Sequence, residues 1–190
     1  EMFLDSSQLR SSVVSHAKTL GYTTRSATAA KATVDVFLNT SNPSATMPAG
    51  TVFTSSVGDV SYQFVTTSDV TSLLSGSTIE FTEVIVYEGS YVSTRYTVDT
   101  QNVEQRFLIN DDRADTATLT VKVQNSLSDS TLTTYTLATD IAALTSTSNV
   151  YFLQEVEGGR FEVYFGDGVL GKAIADGNIV ILDYINTNRD

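Results

Sequence analysis

The sequence predicts a mainly β fold of the α+β class. It has one N-terminal helix, then antiparallel β-sheets in a sandwich-like arrangement, with a small β subdomain inserted between the early and late strands. Three observations carry this. Apolar residues recur at helical spacing only near the N-terminus, and beyond residue 30 the period drops to two. The later runs are rich in Thr, Val, Tyr and Phe, which suit a half-buried pleated surface. Both prolines, Pro43 and Pro48, fall in one stretch, 39–50, that reads as a loop.

The helix is expected in "DSSQLRSSVVSHAKTLGY", where Leu9, Val13, Ala17 and Leu20 form one stripe. Asp5 can cap the first turn, with Gln8 three residues later as in a capping box. Lys18 sits near the negative end of the dipole, and Gly21 stops the helix. A lone amphipathic helix must bury its apolar face, so the stripe is expected to pack within its own chain. Strand-like runs follow at 31–38, 51–54, 60–66, 78–87, 91–98, 104–109, 117–124 and 131–137. A short helix is expected at 139–145, then strands at 150–156, 160–165 and 178–185. Gly158 and Gly159 suit a two-residue hairpin turn with positive φ. That register sets Val156 against Phe161 and Phe152 against Phe165 on an apolar face, with Glu155 opposite Glu162 on the other.

The strands divide into three consecutive parts. Residues 1–87 hold the helix and first strands, 88–138 the inserted β subdomain with its acidic loop "NDDRAD", and 139–190 the returning hairpin and final strand. The chain opens at Glu1 and ends at Asp190 directly after a strand-like run, which predicts a piece of a longer protein.

The 190 residues carry a net charge of −11, which opposes nucleic acid and anionic membrane surfaces as partners. The chain has no cysteine, which excludes disulfides and thiolate metal sites. No apolar run approaches the about 18 residues needed to cross a bilayer. The sequence Gly166-Asp167-Gly168-Val169-Leu170-Gly171-Lys172-Ala173 comes within one hydroxyl of the phosphate-binding pattern GxxxxGK[ST]. Such a loop needs a helix after its lysine to hold phosphates. Here Gly177 and a β-branched run follow instead, so the glycines read as a structural turn joining two strands. His16, the only histidine, reads as an exposed helical residue. Asp111, Asp112 and Asp115 could face a hard cation, but an EF-hand would need glycine and glutamate where Thr116 and Lys122 stand. The default for that loop is a solvated acidic turn. Glu155 and Glu162 could act as a glycosidase pair, yet they are expected on a flat sheet without a cleft. The inventory names no catalytic residue, no cofactor-binding residue and no metal ligand.

Several motifs occur together in one order: Gly21-Tyr22; Arg25, Ala27, Ala29 and Ala30; Gly50-Thr51-Val52-Phe53; Glu88-Gly89-Ser90-Tyr91; Phe165 to Lys172; and Asp176 to Val180. In this the chain resembles the baseplate wedge proteins of contractile-tailed bacteriophages, of the T-even inner-ring type, and more broadly the baseplate J-like family. The resemblance covers nearly the whole chain, and the "FGDGVLGK" loop is its most specific mark. It implies a non-enzymatic structural protein of the virion's tail baseplate, assembled in the host cytoplasm. It implies other wedge proteins as partners, a homo-oligomer (dimer or ring) around the hub that supports sheath contraction, and no small-molecule ligand. The alternative reading is a carbohydrate-binding adhesin module of a phage tail, since Ser/Thr-rich β domains with surface tyrosines could serve that use.

Overall fold

The structure, a computed structural model, describes residues 25–188 together with Leu9, Ser12, Val13, Ser15 and His16. Thirteen strands run in chain order: β1 (Lys31–Asn39), β2 (Ser44–Met47), β3 (Val52–Val57), β4 (Val60–Thr66), β5 (Val70–Ser75), β6 (Thr78–Glu88), β7 (Ser90–Thr97), β8 (Phe107–Ile109), β9 (Ala114–Gln124), β10 (Leu132–Leu137), β11 (Val150–Glu155), β12 (Phe161–Phe165) and β13 (Ile179–Asn186). They form a six-stranded and a seven-stranded sheet, and the mainly β class holds. The expected N-terminal helix falls largely outside the described residues. Of its stripe, Leu9 and Val13 are described, and both are exposed, against the expectation that the chain itself covers them.

Two strands are additions to the sequence reading. β2 lies within the stretch expected to be loop, and it pairs with β5, which the sequence pattern does not mark either. Pro43 and Pro48 flank β2 without interrupting it, as edge strands allow. In β5 the inward positions are Val70, Ser72 and Leu74, so a serine breaks the apolar alternation that would have marked it. Ser72 instead donates its hydroxyl to the Glu80 carbonyl at 2.6 Å. The helix expected at 139–145 shrinks to a 3-10 turn, Ile141–Ala143, capped by the Asp140 carboxylate on the Ala142 amide.

In the six-stranded sheet, β6 pairs along one side with β1 and along the other with β5 and β4. Its inner face supplies Ile79, Phe81, Val84 and Val86, which pack with Met47 of β2 and Phe53 of β3. Those last two come from opposite ends of the strand order, so the sheet curls around its own core. A bulge lets it bend: Glu83 has φ +55°, and the Asp35 carboxylate accepts its amide at 2.8 Å.

The second sheet has the order β7-β13-β9-β10-β11-β12-β8. The β10–β11 pairing is parallel, which departs from the all-antiparallel expectation. The β11–β12 hairpin is shifted by one residue from the expected register: Glu155 opposes Phe161, Gln154 opposes Glu162 and Phe152 opposes Tyr164. The cause is the turn, which takes three residues, Glu157–Gly159, and is closed by the Val156 amide on the Arg160 carbonyl at 2.7 Å. Gly158 and Gly159 do adopt positive φ, +78° and +75°. A one-residue slip changes every cross-strand partner. Glu155 therefore lies buried beside Phe161, and Phe152 stacks on Tyr164 at 5.2 Å.

Contacts within the chain define two compact units. One comprises Ala27–Ser93, Asp115–Leu119 and Asp183–Asp190; the other comprises Glu1–Ser26, Thr94–Ala114 and Thr120–Leu182. Strands β7, β9 and β13 supply residues to both. β13 is buried from Ile179 through Ile185, the near-continuous apolar pattern of a strand covered on both faces.

Within the first unit, buried polar groups are tied by specific bonds. The Asp115 carboxylate accepts the amides of Ala29 and Ala117, both at 2.9 Å. Glu88 accepts the Thr187 hydroxyl at 2.8 Å. Gly89 must be glycine, because a Cβ there would sit 2.3 Å from the Asn186 carbonyl oxygen. Tyr91 is bonded to buried Asp183; burial first, then the Asp183 charge and hydrogen bond, push the Tyr91 phenol from 10.0 up to about 12. A raised phenol pKa means the folded state favours the protonated form. Its contribution is therefore present in full below about pH 10 and is lost as pH rises toward 12. Denaturant midpoints are expected to fall across that window, and Tyr91→Phe to make the fall shallower. An unchanged slope in the variant would show that the Tyr91–Asp183 pair does not contribute.

Candidate functional site

The glycine-rich loop begins where β12 ends. Phe165 is held by edge-to-face contacts with Phe107 at 5.6 Å and Tyr135 at 5.3 Å, and Phe107 in turn meets Tyr96 at 5.7 Å. Such pairs add about 0.5–1.5 kcal/mol each beyond burial. The loop therefore leaves the sheet from a fixed point. At Gly166 a Cβ would lie 2.4 Å from the Gly171 and Leu170 backbone, so the two arms of the loop touch.

Every amide from 168 to 172 is already engaged inside the chain. The Gly168 amide donates to the Gly171 carbonyl at 3.0 Å. The Val169 and Leu170 amides donate to the Asp167 carboxylate at 2.9 and 3.0 Å. The Gly171 amide donates to the Thr145 carbonyl and the Lys172 amide to the Ser148 carbonyl. A phosphate loop holds its ligand with amides of this kind, and here they are bound within the chain, three inside the loop and two to the Thr145 and Ser148 carbonyls. No helix follows Lys172; residues 173–178 are irregular and lead directly into β13. The Leu170 and Val169 amides hold the Asp167 carboxyl below its usual range. The turn leaves Val169 71% exposed, with Leu170 and Lys172 also at the surface.

The other candidates separate in space or in role. Glu155 and Glu162 do not face each other: Glu155 is buried beside Phe161, while Glu162 receives Arg106 through two bonds, at 2.9 and 2.6 Å. Glu162 raises the Arg106 pKa in turn. Asp115 is not part of a solvated acidic loop, because its carboxylate is turned inward onto Ala29 and Ala117, while Asp112 remains exposed. No group of three or more metal-ligating side chains occurs among the described residues. His16 is half-buried, not exposed as expected. Sequence reasoning missed the anchoring of Phe165 and the inward role of Asp115. The partners of Asp115 and Phe165 include residues far away in sequence, and no local pattern reports them.

The "DGNIV" motif is also used in a turn. Asp176 accepts the Thr100 amide at 3.0 Å, and the Asn178 side chain bridges the Ala175 amide and the Asn125 carbonyl.

Residues 91–188, just over half of the chain, match the family model described as bacteriophage baseplate wedge protein gp6, third domain. No curated protein matches the chain.

At Gly168 φ is +86°, and a Cβ placed there would have the Ala173 Cβ, 3.9 Å away, as its nearest neighbour, so space is open and strain alone decides the cost. Gly168→Val is expected to destabilise by about 1–3 kcal/mol. Lys172→Ala, at an exposed position, is expected to cost below about 0.5 kcal/mol. Denaturant midpoints in the reverse order would assign the lysine a structural partnership.

Proposed function

The chain belongs to the bacteriophage baseplate wedge protein family matched above, and from that membership we propose that it works by assembly and carries no catalytic activity. The family is a structural one of the virion's tail baseplate, and its members work in contact with other baseplate proteins. In our reading this chain joins copies of itself, as a dimer or ring, and other wedge proteins around the hub, and the ring supports sheath contraction. It needs no cofactor for this. Gly166, Asp167, Gly168, Gly171 and Lys172 form a structural turn at or near a subunit contact, and Gly158 and Gly159 shape the neighbouring hairpin.

One observation carries this reading beyond the family match: the loop most like a nucleotide site uses its amides internally and offers Val169 and Leu170 outward. Exposed apolar side chains on a hydrogen-bonded turn suit docking better than chemistry. At −11 per chain, identical copies repel each other at long range, and salt shortens that repulsion to about 10 Å at 0.1 M. Self-contact must then rest on apolar or sheet-edge surface, or on a partner that brings positive charge.

Sedimentation of the chain at low and high salt tests this. Monomer or weak dimer is expected, with association that rises with salt. Association that weakens as salt rises would mark a charge-driven self-interface and contradict the reading. Saturable glycan binding by a monomer that never associates would favour the adhesin alternative.

A further inference from the structure

Among the described residues, the longest strand edge in the first unit is open. Among the described residues β1 pairs with β6 alone, over Lys31–Asn39. The bonds that close its two ends run from the Glu88 amide to the Ala30 carbonyl and from the Thr40 amide to the Ser77 carbonyl. In an antiparallel ladder, inward and outward backbone groups alternate. The even-numbered residues therefore turn their amides and carbonyls toward β6, and Thr33, Asp35, Phe37 and Asn39 turn theirs away. β2, another edge strand, is blunted by its length of four residues and its flanking prolines. β1 has nine residues and no proline.

Its side chains match an unfilled position. Phe37 is 63% exposed and Leu38 43% exposed, one on each face of the strand. Phe37 opposes Glu80, which is exposed, whereas Leu38 opposes fully buried Ile79. Leu73, the residue before the Leu74 that opposes Ile79, adds a further exposed apolar group to the Phe37–Glu80 face. The charge is one-sided. From residue 27 to 93 the sequence has one cation, Lys31, against six carboxylates, Asp35, Asp59, Asp69, Glu80, Glu83 and Glu88. Asp35, Glu80 and Glu83 are exposed on β1 and β6.

We infer that the β1 edge accepts an extended basic segment of another protein, which adds to the six-stranded sheet as a further strand beside β1. Main-chain bonds to residues 33–39 give the attachment. Apolar side chains of the incoming strand lie against Phe37 on one face and Leu38 on the other. Lys or Arg side chains meet the carboxylates of Asp35, Glu80 and Glu83. A second copy of this chain fits poorly, because its own β1 would bring the same carboxylates. The inference deepens the assembly reading and rests on it for the existence of a partner. The assay below reads the edge alone, whereas sedimentation judges assembly without any peptide, so the two can fail separately.

The test is a titration of the full 190-residue chain with a blocked peptide of alternating lysine and valine, followed by amide NMR. Shifts and slowed amide exchange are expected at Thr33, Asp35 and Phe37, with binding that weakens as salt rises. The glutamate–valine counterpart is expected not to bind. Thr33→Pro removes one outward amide without touching the ladder to β6, and is expected to weaken binding about tenfold. Should that variant misfold, Glu80→Lys, which changes only an exposed side chain and leaves the ladder bonds in place, is expected to weaken binding of the same peptide. Shifts mapping elsewhere, equal binding of the glutamate peptide, unchanged affinity in folded Thr33→Pro or in Glu80→Lys, or an edge already occupied by a second copy would each overturn the inference. So would an absence of binding up to millimolar peptide.

Discussion

Burial of β13 is the constraint on which the rest of the structure depends. Its sequence from Ile179 to Ile185 leaves no face for water, with Val180, Leu182 and Ile185 fully buried. Each such side chain contributes about 1.5–3 kcal/mol relative to exposure. A strand of this kind needs covered faces, paired edges on both sides and partners for any polar side chain within it. β7 and β9 provide the two edges. Asp183, the one carboxylate inside the run, is matched by Tyr91 from β7. At the strand's end Gly89 lets the backbone pass against Asn186, and Thr187 donates to buried Glu88.

The motifs on which the sequence resemblance rests make sense in these terms. Glu88-Gly89-Ser90-Tyr91 is the segment that meets the end of β13, and Gly50 lies under the Tyr91 ring, where a Cβ would come within 3.3 Å of it. Ala29 is fixed by Asp115. The Phe165–Lys172 loop and the Asp176–Val180 turn deliver the chain from β12 into β13. Gly89, Ala29, Asp167 and Asp176 hold backbone in place through close approach or hydrogen bonds within their own chain. A protein that works as a building part needs such a scaffold, and needs its free groups on the outside, where the β1 edge and the Val169–Leu170 knuckle stand.

Much of the β order is legible in the sequence because it depends on local pattern. β4, β6, β9 and β13 announce themselves by composition and period. β2 and β5 do not, since they exist by pairing with each other and Ser72 masks the alternation. Two glycines at 158 and 159 signal a turn, but a two-residue and a three-residue turn share that signal and differ by one step of register. The acidic loop misleads for a related reason: Asp115 is distinguished from Asp112 by an amide 86 positions away. The candidate loop is readable as a turn. The use of its amides is not, because Thr145 and Ser148, which accept two of them, belong to a separate segment.

Native-state hydrogen exchange across the chain tests the dependence on β13 most directly. Amides of Val180 through Ile185 should exchange only through global unfolding, with the same free energy as the denaturant transition, while the 166–172 loop opens locally at lower cost. Exchange of the β13 amides through a local opening, well below the global free energy and with the other strands still protected, would contradict the account.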